Sequence, residues 1–244
     1  MLKVRHQDTF EFEIGIDEAG RGPMFGRLYV AAVILPPPPP PPPKETDRGV
    51  EEGFKYEWMK DSKRFHSEKK IKAVSDYIKE HATAWAISYV EADVIDQINI
   101  RQAVFRGMHD CCRQILDARP DLNIGNTFLL VDGNDFIPYR VFNPTTETIV
   151  EYASETVEQG DGKYCHIAAA SILAKVARDE YIREICAQHP DLDEKYGLLK
   201  NKGYGTKKHM EGLAQYGYSE LHRKTFKAGK TTTPFLQPPV EINK

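Results

Sequence analysis

A chain of 244 residues, 41% hydrophobic and 28% charged, has the composition of an ordinary folded protein long enough to bury one sizeable core. Its formal net charge of −3 argues against a globally basic nucleic-acid binder and moves that question to local charge. The longest clean apolar run, Leu28 to Leu35, is far too short to span a bilayer, so no membrane partner is expected. The N-terminus lacks the apolar centre of a signal peptide, and Cys111, Cys112, Cys165 and Cys186 show neither a C-x-x-C pair nor a zinc-like spacing. A reducing cytoplasm is the expectation.

Residues 10–17 and 27–35 predict two strands joined by a glycine-rich turn. The joining stretch, residues 15–26, reads GIDEAGRGPMFG: two adjacent acids, Asp17 and Glu18, then Gly20, Arg21, Gly22 and Gly26. It is either a polar turn or a cation site beside a backbone that must approach something anionic. Successive strand residues face opposite sides, so Asp17 and Glu18 cannot share a site from a regular strand. Glu18 is therefore expected where the strand already bends into the Gly20 turn. Eight prolines, Pro36 to Pro43, come next and lead into a polar stretch. Prolines donate no backbone hydrogen bonds and eight extend about 25 Å as a polyproline helix, so 36–57 reads as a loop insertion. A solvated spacer is the plain role for it, and a polyproline-reading partner the sharper one.

Helical spacing starts at Ser67, with Ile71, Val74 and Ile78 on one side, and a short strand over 83–90 follows. Residues 95–116 read as one long helix through Ile98, Val104, Met108 and Ile115. Residues 126–131 form a buried strand ending on Asp132-Gly133-Asn134, and 146–158 suggest a further strand with a polar edge. Asp161 sits between two glycines just before 167–182, a strong helix whose small residues permit close packing. A last helix starts near Thr206 as its N-cap. These elements predict an α/β fold with a mixed sheet, one domain over 1–226, and a loose tail over 227–244. Between Lys195 and Lys230 nine Lys or Arg face two Glu, interleaved with Tyr196, Tyr204, Tyr216, Tyr218 and Phe226. That mixture suits a phosphate backbone, although a solvated charged face has the same composition.

Two apolar strands thus end on acids, Asp17 and Asp132, at the kind of sheet edge where sites assemble. With Glu18 and Asp161 they make four candidate carboxylates, which would repel one another severely unless cations lay between them. Oxygen ligands of this kind suit Mg²⁺ or Mn²⁺, and two such ions about 4 Å apart can drive phosphodiester hydrolysis. For each acid singly, a turn or capping role is the competing reading, and Asp135 and Asp179 compete with Asp161 for the fourth place. No phosphate-binding loop, H-E-x-x-H or G-x-S-x-G motif is present, and the G-x-G-x-x-x-G of residues 20–26 misses the dinucleotide fingerprint by one residue.

Four blocks in order resemble ribonuclease HII, the single-subunit type 2 ribonuclease H. They are Gly15-Ile16-Asp17-Glu18-Ala19-Gly20-Arg21-Gly22; Asp61-Ser62-Lys63; Asp161 with residues 167–179, IAAASILAKVARD; and Lys202-Gly203-Tyr204-Gly205-Thr206 closed by His222-Arg223-Lys224-Thr225-Phe226. The resemblance implies a ribonuclease H-like fold, a central mixed sheet flanked by helices with a helical C-terminal region. It implies cleavage of the RNA strand of RNA/DNA hybrids, and of duplex DNA 5′ to a single ribonucleotide, leaving 3′-hydroxyl and 5′-phosphate ends. Asp17, Glu18, Asp132 and Asp161 match the family's metal-binding acids, for two Mg²⁺ or Mn²⁺ ions. Gly20, Arg21 and Gly22 match the motif at the RNA–DNA junction, and Tyr204 the tyrosine that works with it. Ser62, Lys63 and Arg223 are further expected substrate contacts, and a monomer is expected. The rival readings are a ribonuclease H-fold nuclease that needs longer hybrids, a protein that only binds them, and a carboxylate-rich cation-binding protein.

Overall fold

The computed structural model describes residues 1–38 and 53–226; most of the proline insertion and the whole tail lie outside the described residues. Three strands, β1 (Phe12–Ala19), β2 (Leu28–Ile34) and β3 (Ala84–Val90), form an antiparallel meander. On the other side of β1, β4 (Thr127–Asp132) pairs with it in parallel. A small separate hairpin follows, β5 (Arg140–Asn143) and β6 (Thr148–Glu151), before β7 (Ala153–Val157) pairs in parallel with β4. The main sheet is therefore mixed, in the order β3-β2-β1-β4-β7.

Helices cover both faces. They are α1 (Glu68–His81), α2 (Ala92–Ile98), α3 (Ile100–Ala118) and α4 (Cys165–Gln188), then the C-terminal group α5 (Pro190–Tyr196), α6 (Leu198–Asn201) and α7 (Lys207–Tyr216). Every residue of β2 is buried, as an apolar run without alternation requires of a strand covered on both faces. One face packs on α3 through Val104, Phe105, Met108 and Ile115. The other packs on α4 through Ala168, Ala169, Ala170, Ile172 and Leu173. Because α4 is buried nearly all round, it carries no polar stripe, and its alanines let it lie close on the sheet. Gly15 of β1 sits under that contact: a Cβ there would stand 2.2 Å from the backbone carbon of His166.

Two expected elements divide. The 95–116 helix is broken at Asn99, whose φ of 66° ends α2 while its side chain accepts from the Gln102 N–H and caps α3. Side-chain periodicity runs through such a break unchanged, so the pattern could not disclose it. The expected strand over 146–158 becomes β6 and β7, separated at Tyr152, whose buried ring packs in the core and whose N–H donates to the Tyr139 carbonyl. All four cysteines are buried free thiols. Among the described residues no helix is long and apolar enough to cross a membrane.

His166, at the start of α4, is buried and its Nδ1 donates to the Val4 carbonyl at 3.0 Å. Burial pushes its pKa down from 6.5 to about 4, so the folded protein holds it neutral where an unfolded chain would protonate it. Its contribution to stability is therefore full above pH 6.5 and declines as the pH falls from there toward 4. His166→Asn, which keeps a donor without a titration, should lose less stability than wild type between pH 7 and 4.5. Parallel urea-melt curves for the two proteins would contradict this account.

Candidate active site

The parallel pairing of β1 and β4 brings Ile16 beside Val131, so the next residues, Asp17 and Asp132, leave the same sheet edge side by side. Gly133, at φ 105°, ends β4 directly after Asp132. Asp161 arrives from a single 3-10 turn, Gly160–Gly162, which the Asp132 carboxylate pins by accepting the Gly160 N–H at 2.6 Å. Asp17, Glu18, Asp132 and Asp161 all line one groove, together with Gly20, Arg21, Gly22, Ser62, Lys63 and Tyr204.

Glu18 corrects one expectation. It does not lie past the strand, because the β1–β2 ladder continues through Glu18↔Val30 and Ala19↔Tyr29. Strand alternation is kept: Asp17 faces α4 and accepts a hydrogen bond from Ser171, whereas Glu18 also borders a cleft with Val104, Phe105 and Met108 of α3. Asp132 borders both the groove and that cleft. The acids meet over the sheet edge, around which Glu18 reaches.

Burial is the main electrostatic fact. It pushes the pKa of Asp17 well above the ordinary carboxylate range, and the Glu18 and Asp132 charges push further the same way. Glu18 is raised by burial and by Asp132 against the opposing pull of Arg21. Asp132 is raised by burial and by Asp161, against the Gly160 N–H. Among the described residues no three His, Cys, Asp or Glu side chains already form a closed metal cage. Instead two basic side chains lean in: Arg21 Nη1 lies 3.6 Å from Glu18 and Lys63 Nζ 3.5 Å from Asp161. A crowd of oxygen donors that burial and mutual repulsion drive toward protonation fits a hard divalent cation, whose charge would reverse those shifts.

The competing acids border the same groove and cleft but are each paired with a cation. Asp135 is half-buried at the rim of that cleft and held by Arg101 at 3.0 Å. Asp179 lines the groove but is paired with Lys175, 2.9 Å away and one helical turn back, not with the adjacent Arg178. Ser62 is buried, and its hydroxyl lies 3.0 Å from that of Ser171, so it braces the residue that bonds Asp17. Lys63 stays exposed beside Asp161, and Asp61 caps its turn by accepting the Lys63 N–H.

The Gly20–Gly22 turn and Tyr204 come from opposite ends of the chain and meet. The ring of Tyr204 is half exposed, and a Cβ on Gly22 would stand 3.4 Å from it. Met24 N–H donates to the Gly203 carbonyl, which ties the two loops together. Gly20 has a φ of 95°, and a Cβ there would strike the Arg178 side chain at 2.2 Å.

Arg223 is placed differently from its expected role as a substrate contact. Its guanidinium is fully buried behind the turn and donates to the carbonyls of Gly20 (2.7 Å), Pro23 (2.9 Å) and Gly26 (2.9 Å), with Arg21 at 3.4 Å. In a trans peptide the N–H points away from the preceding carbonyl. With the Gly20 and Arg21 carbonyls turned inward onto Arg223, the N–H groups of Arg21 and Gly22 point outward, at two exposed residues lining the groove. Arg178 supports the same region from α4, donating to the Lys202 carbonyl at 2.7 Å. Sequence reading missed Ser171 and Arg178. Both stand in the quoted 167–179 block, but only the folded packing shows what they touch.

The Ribonuclease HII family model matches residues 14–229. The chain is 42% identical to ribonuclease HII of Parabacteroides distasonis over 92% of its own length and 94% of that protein's. It is 41% identical to ribonuclease HII of Bacteroides thetaiotaomicron over 88% of each chain. In fold it is similar to the ribonuclease HII of the PCNA:RNase HII complex from Archaeoglobus fulgidus, with a TM-score of 0.60 at 22% identity over 91% of this chain and 98% of that one. Bst-RNase HIII in complex with Mn²⁺ is similar at a TM-score of 0.58 and 15% identity, over 85% of this chain and 71% of that one. The α/β architecture with its mixed five-stranded sheet is thus that of ribonuclease H2 and H3 structures.

Proposed function

The chain belongs to the ribonuclease HII family, type 2 ribonuclease H hydrolases that cleave RNA in RNA/DNA hybrids, and from that premise we propose that it also cuts duplex DNA 5′ to a single embedded ribonucleotide. The observation that carries the proposal is the convergence of the Gly20–Gly22 turn and Tyr204 in one groove with four carboxylates. The products are a 3′-hydroxyl and a 5′-phosphate, as befits removal of ribonucleotides and of RNA primers from DNA.

A 2′-hydroxyl is what distinguishes RNA from DNA at a given position. The outward N–H groups of Arg21 and Gly22 are suited to donate to it, and the absence of a side chain at Gly22 lets the sugar come close, while Gly20 makes room for the Arg178 side chain. Tyr204, packed beside Gly22, offers its ring to the neighbouring deoxyribose, where an additional hydroxyl would not fit. Arg21 and Lys63 flank the acids and meet the phosphates, Lys200 and Lys202 extend the groove's positive lining, and Ser62 acts through Ser171. Asp17, Glu18, Asp132 and Asp161 would hold two Mg²⁺ or Mn²⁺ ions. Such ions supply Lewis-acid activation of water and neutralise charge at the scissile phosphate. The chain's own part is to hold the carboxylates in place, Asp17 through Ser171 and Asp132 through Gly160, and to keep the phosphate in register with the turn.

The deciding assay uses labelled duplex DNA carrying one ribonucleotide, beside an all-RNA/DNA hybrid, with Mg²⁺, Mn²⁺ or chelator. A metal-dependent cut 5′ to the lone ribonucleotide is expected. Cutting of the hybrid alone would leave the family assignment standing and remove the junction reading. Tyr204→Ala should lower kcat/KM on the single-ribonucleotide duplex by about tenfold or more, on the scale of one lost aromatic contact with a nucleotide. The loss on the hybrid should be smaller, and an equal loss on both substrates counts against the ring's proposed task.

A further inference from the structure

We propose that two adjacent residues, His222 and Arg223, are positioning residues that set the distance between the Gly20–Gly22 turn and Tyr204, and so set the preference for a lone ribonucleotide over a continuous hybrid. This deepens the junction reading above and rests on it. Residues 221–223 lie antiparallel to 24–26: Gly26 N–H donates to the Leu221 carbonyl, Arg223 N–H to that of Met24, and Phe25 bridges His222. From this short seam Arg223 gathers the carbonyls of the turn, as described above.

His222 reaches the other half of the reader. Its Nδ1 accepts the Ser219 N–H at 2.9 Å, its Nε2 lies 3.0 Å from Nε2 of His209, and Nδ1 of His209 lies 3.0 Å from the Tyr204 carbonyl. Only one placement of protons satisfies this chain. The Ser219 N–H occupies His222 Nδ1, so His222 carries its proton on Nε2 and donates it to His209. His209 is then left with its proton on Nδ1, which donates to Tyr204. Both rings are buried, and the rings of Phe25, Tyr196 and Tyr218 surround His222. Burial holds both histidines below their ordinary pKa, His222 at about 4, which keeps the relay neutral.

The same segment is anchored beyond the clamp. The Asp96 carboxylate accepts the Lys224 and Thr225 N–H groups and the Thr225 hydroxyl. Both parts of the junction reader, far apart in sequence, therefore hang from one dipeptide. A lone ribonucleotide offers a single productive register, whereas a hybrid offers many. An error in the turn-to-ring distance thus falls hardest on the former.

The test compares kcat and KM on the two substrates for wild type, His222→Phe, His222→Gln and Arg223→Lys. His222→Phe leaves His209 Nε2 without its donor and should cut kcat/KM on the single-ribonucleotide duplex about tenfold more than on the hybrid. Arg223→Lys, which keeps the charge but loses the fork, should shift the ratio in the same direction. His222→Gln, which keeps a donor toward His209, should recover most of the ratio. A parallel fall on both substrates that tracks melting temperature would reduce the dipeptide to general packing and overturn the proposal. Imidazole ¹⁵N shifts of the wild-type protein at pH 7 give a readout independent of folding of the variants: protons on His222 Nε2 and His209 Nδ1 are expected, and any other pair of tautomers overturns the relay. If wild type itself ignores the lone ribonucleotide while the tautomers stand as drawn, the junction reading has failed and not the relay.

Discussion

Asp17→Asn is expected to lower hydrolysis of both the hybrid and the single-ribonucleotide duplex by at least about 10³-fold, some 4 kcal/mol of transition-state stabilisation. Asp17 is the most deeply placed of the four acids, 5% exposed, bonded to Ser171 and pressed by both Glu18 and Asp132. An amide there is isosteric but a poor ligand for a hard cation, so charge that would be neutralised at the phosphate is left uncompensated. Binding of substrate should persist or tighten, since one charge that repels phosphate has gone.

The same substitution should act oppositely on stability. The folded-state pKa of Asp17 is raised above its ordinary 3.8. Its contribution is therefore full below 3.8 and is lost as the pH rises toward the raised value, so at neutral pH the metal-free wild type carries a burden that the variant lacks. Without metal, Asp17→Asn is expected to melt at the same temperature as wild type or above it. Wild type should gain stability on adding Mn²⁺ by mass action, and the variant should gain less. Undiminished cleavage together with an unchanged Mn²⁺ response would remove Asp17 from the metal site.

Gly15→Ala is expected to be the most destabilising small substitution in the sheet. The added Cβ would stand 2.2, 2.5 and 2.6 Å from the carbonyl carbon, carbonyl oxygen and Cβ of His166. These are mainly backbone atoms of α4, which cannot step aside as the end of a flexible side chain can. Helix and sheet have to separate, at a cost of about 3 kcal/mol. For a chain of this size that corresponds to a fall of roughly 6–12 °C in Tm. Activity of the surviving folded protein should also drop, because α4 carries Ser171 to Asp17 and Arg178 to the Gly20 turn. An unchanged Tm would mean that the close approach of β1 and α4 is not as drawn.

The residues that line the candidate groove could be picked out before the fold because they stand in short local stretches. Asp17 and Glu18 stand in one strand, Asp132 closes another apolar run, and glycines with no helical or strand role crowd around Arg21. Apolar patterning also disclosed most of the sheet and the long helices, since burial on one or both faces writes itself into period and run length. The break at Asn99 and the division at Tyr152 were hidden, because a single backbone dihedral or a change of strand partner leaves no mark on that pattern.

Arg223 shows where local reading ends. In the sequence it is one more cation in a basic, tyrosine-rich stretch, and a phosphate contact is the natural expectation. In the fold it is fully buried and spent on the carbonyls of a turn formed some two hundred residues earlier. A guanidinium's partners are fixed by which backbone atoms packing brings within 3 Å, and composition carries no record of that distance. The sequence by itself thus determined the fold class and singled out the candidate acids and the glycine turn, through residue types whose chemistry is legible one at a time. Only the tertiary structure decided which side chains face the groove and which hold it in shape, because that division depends on burial and on contacts between segments that the chain order keeps apart.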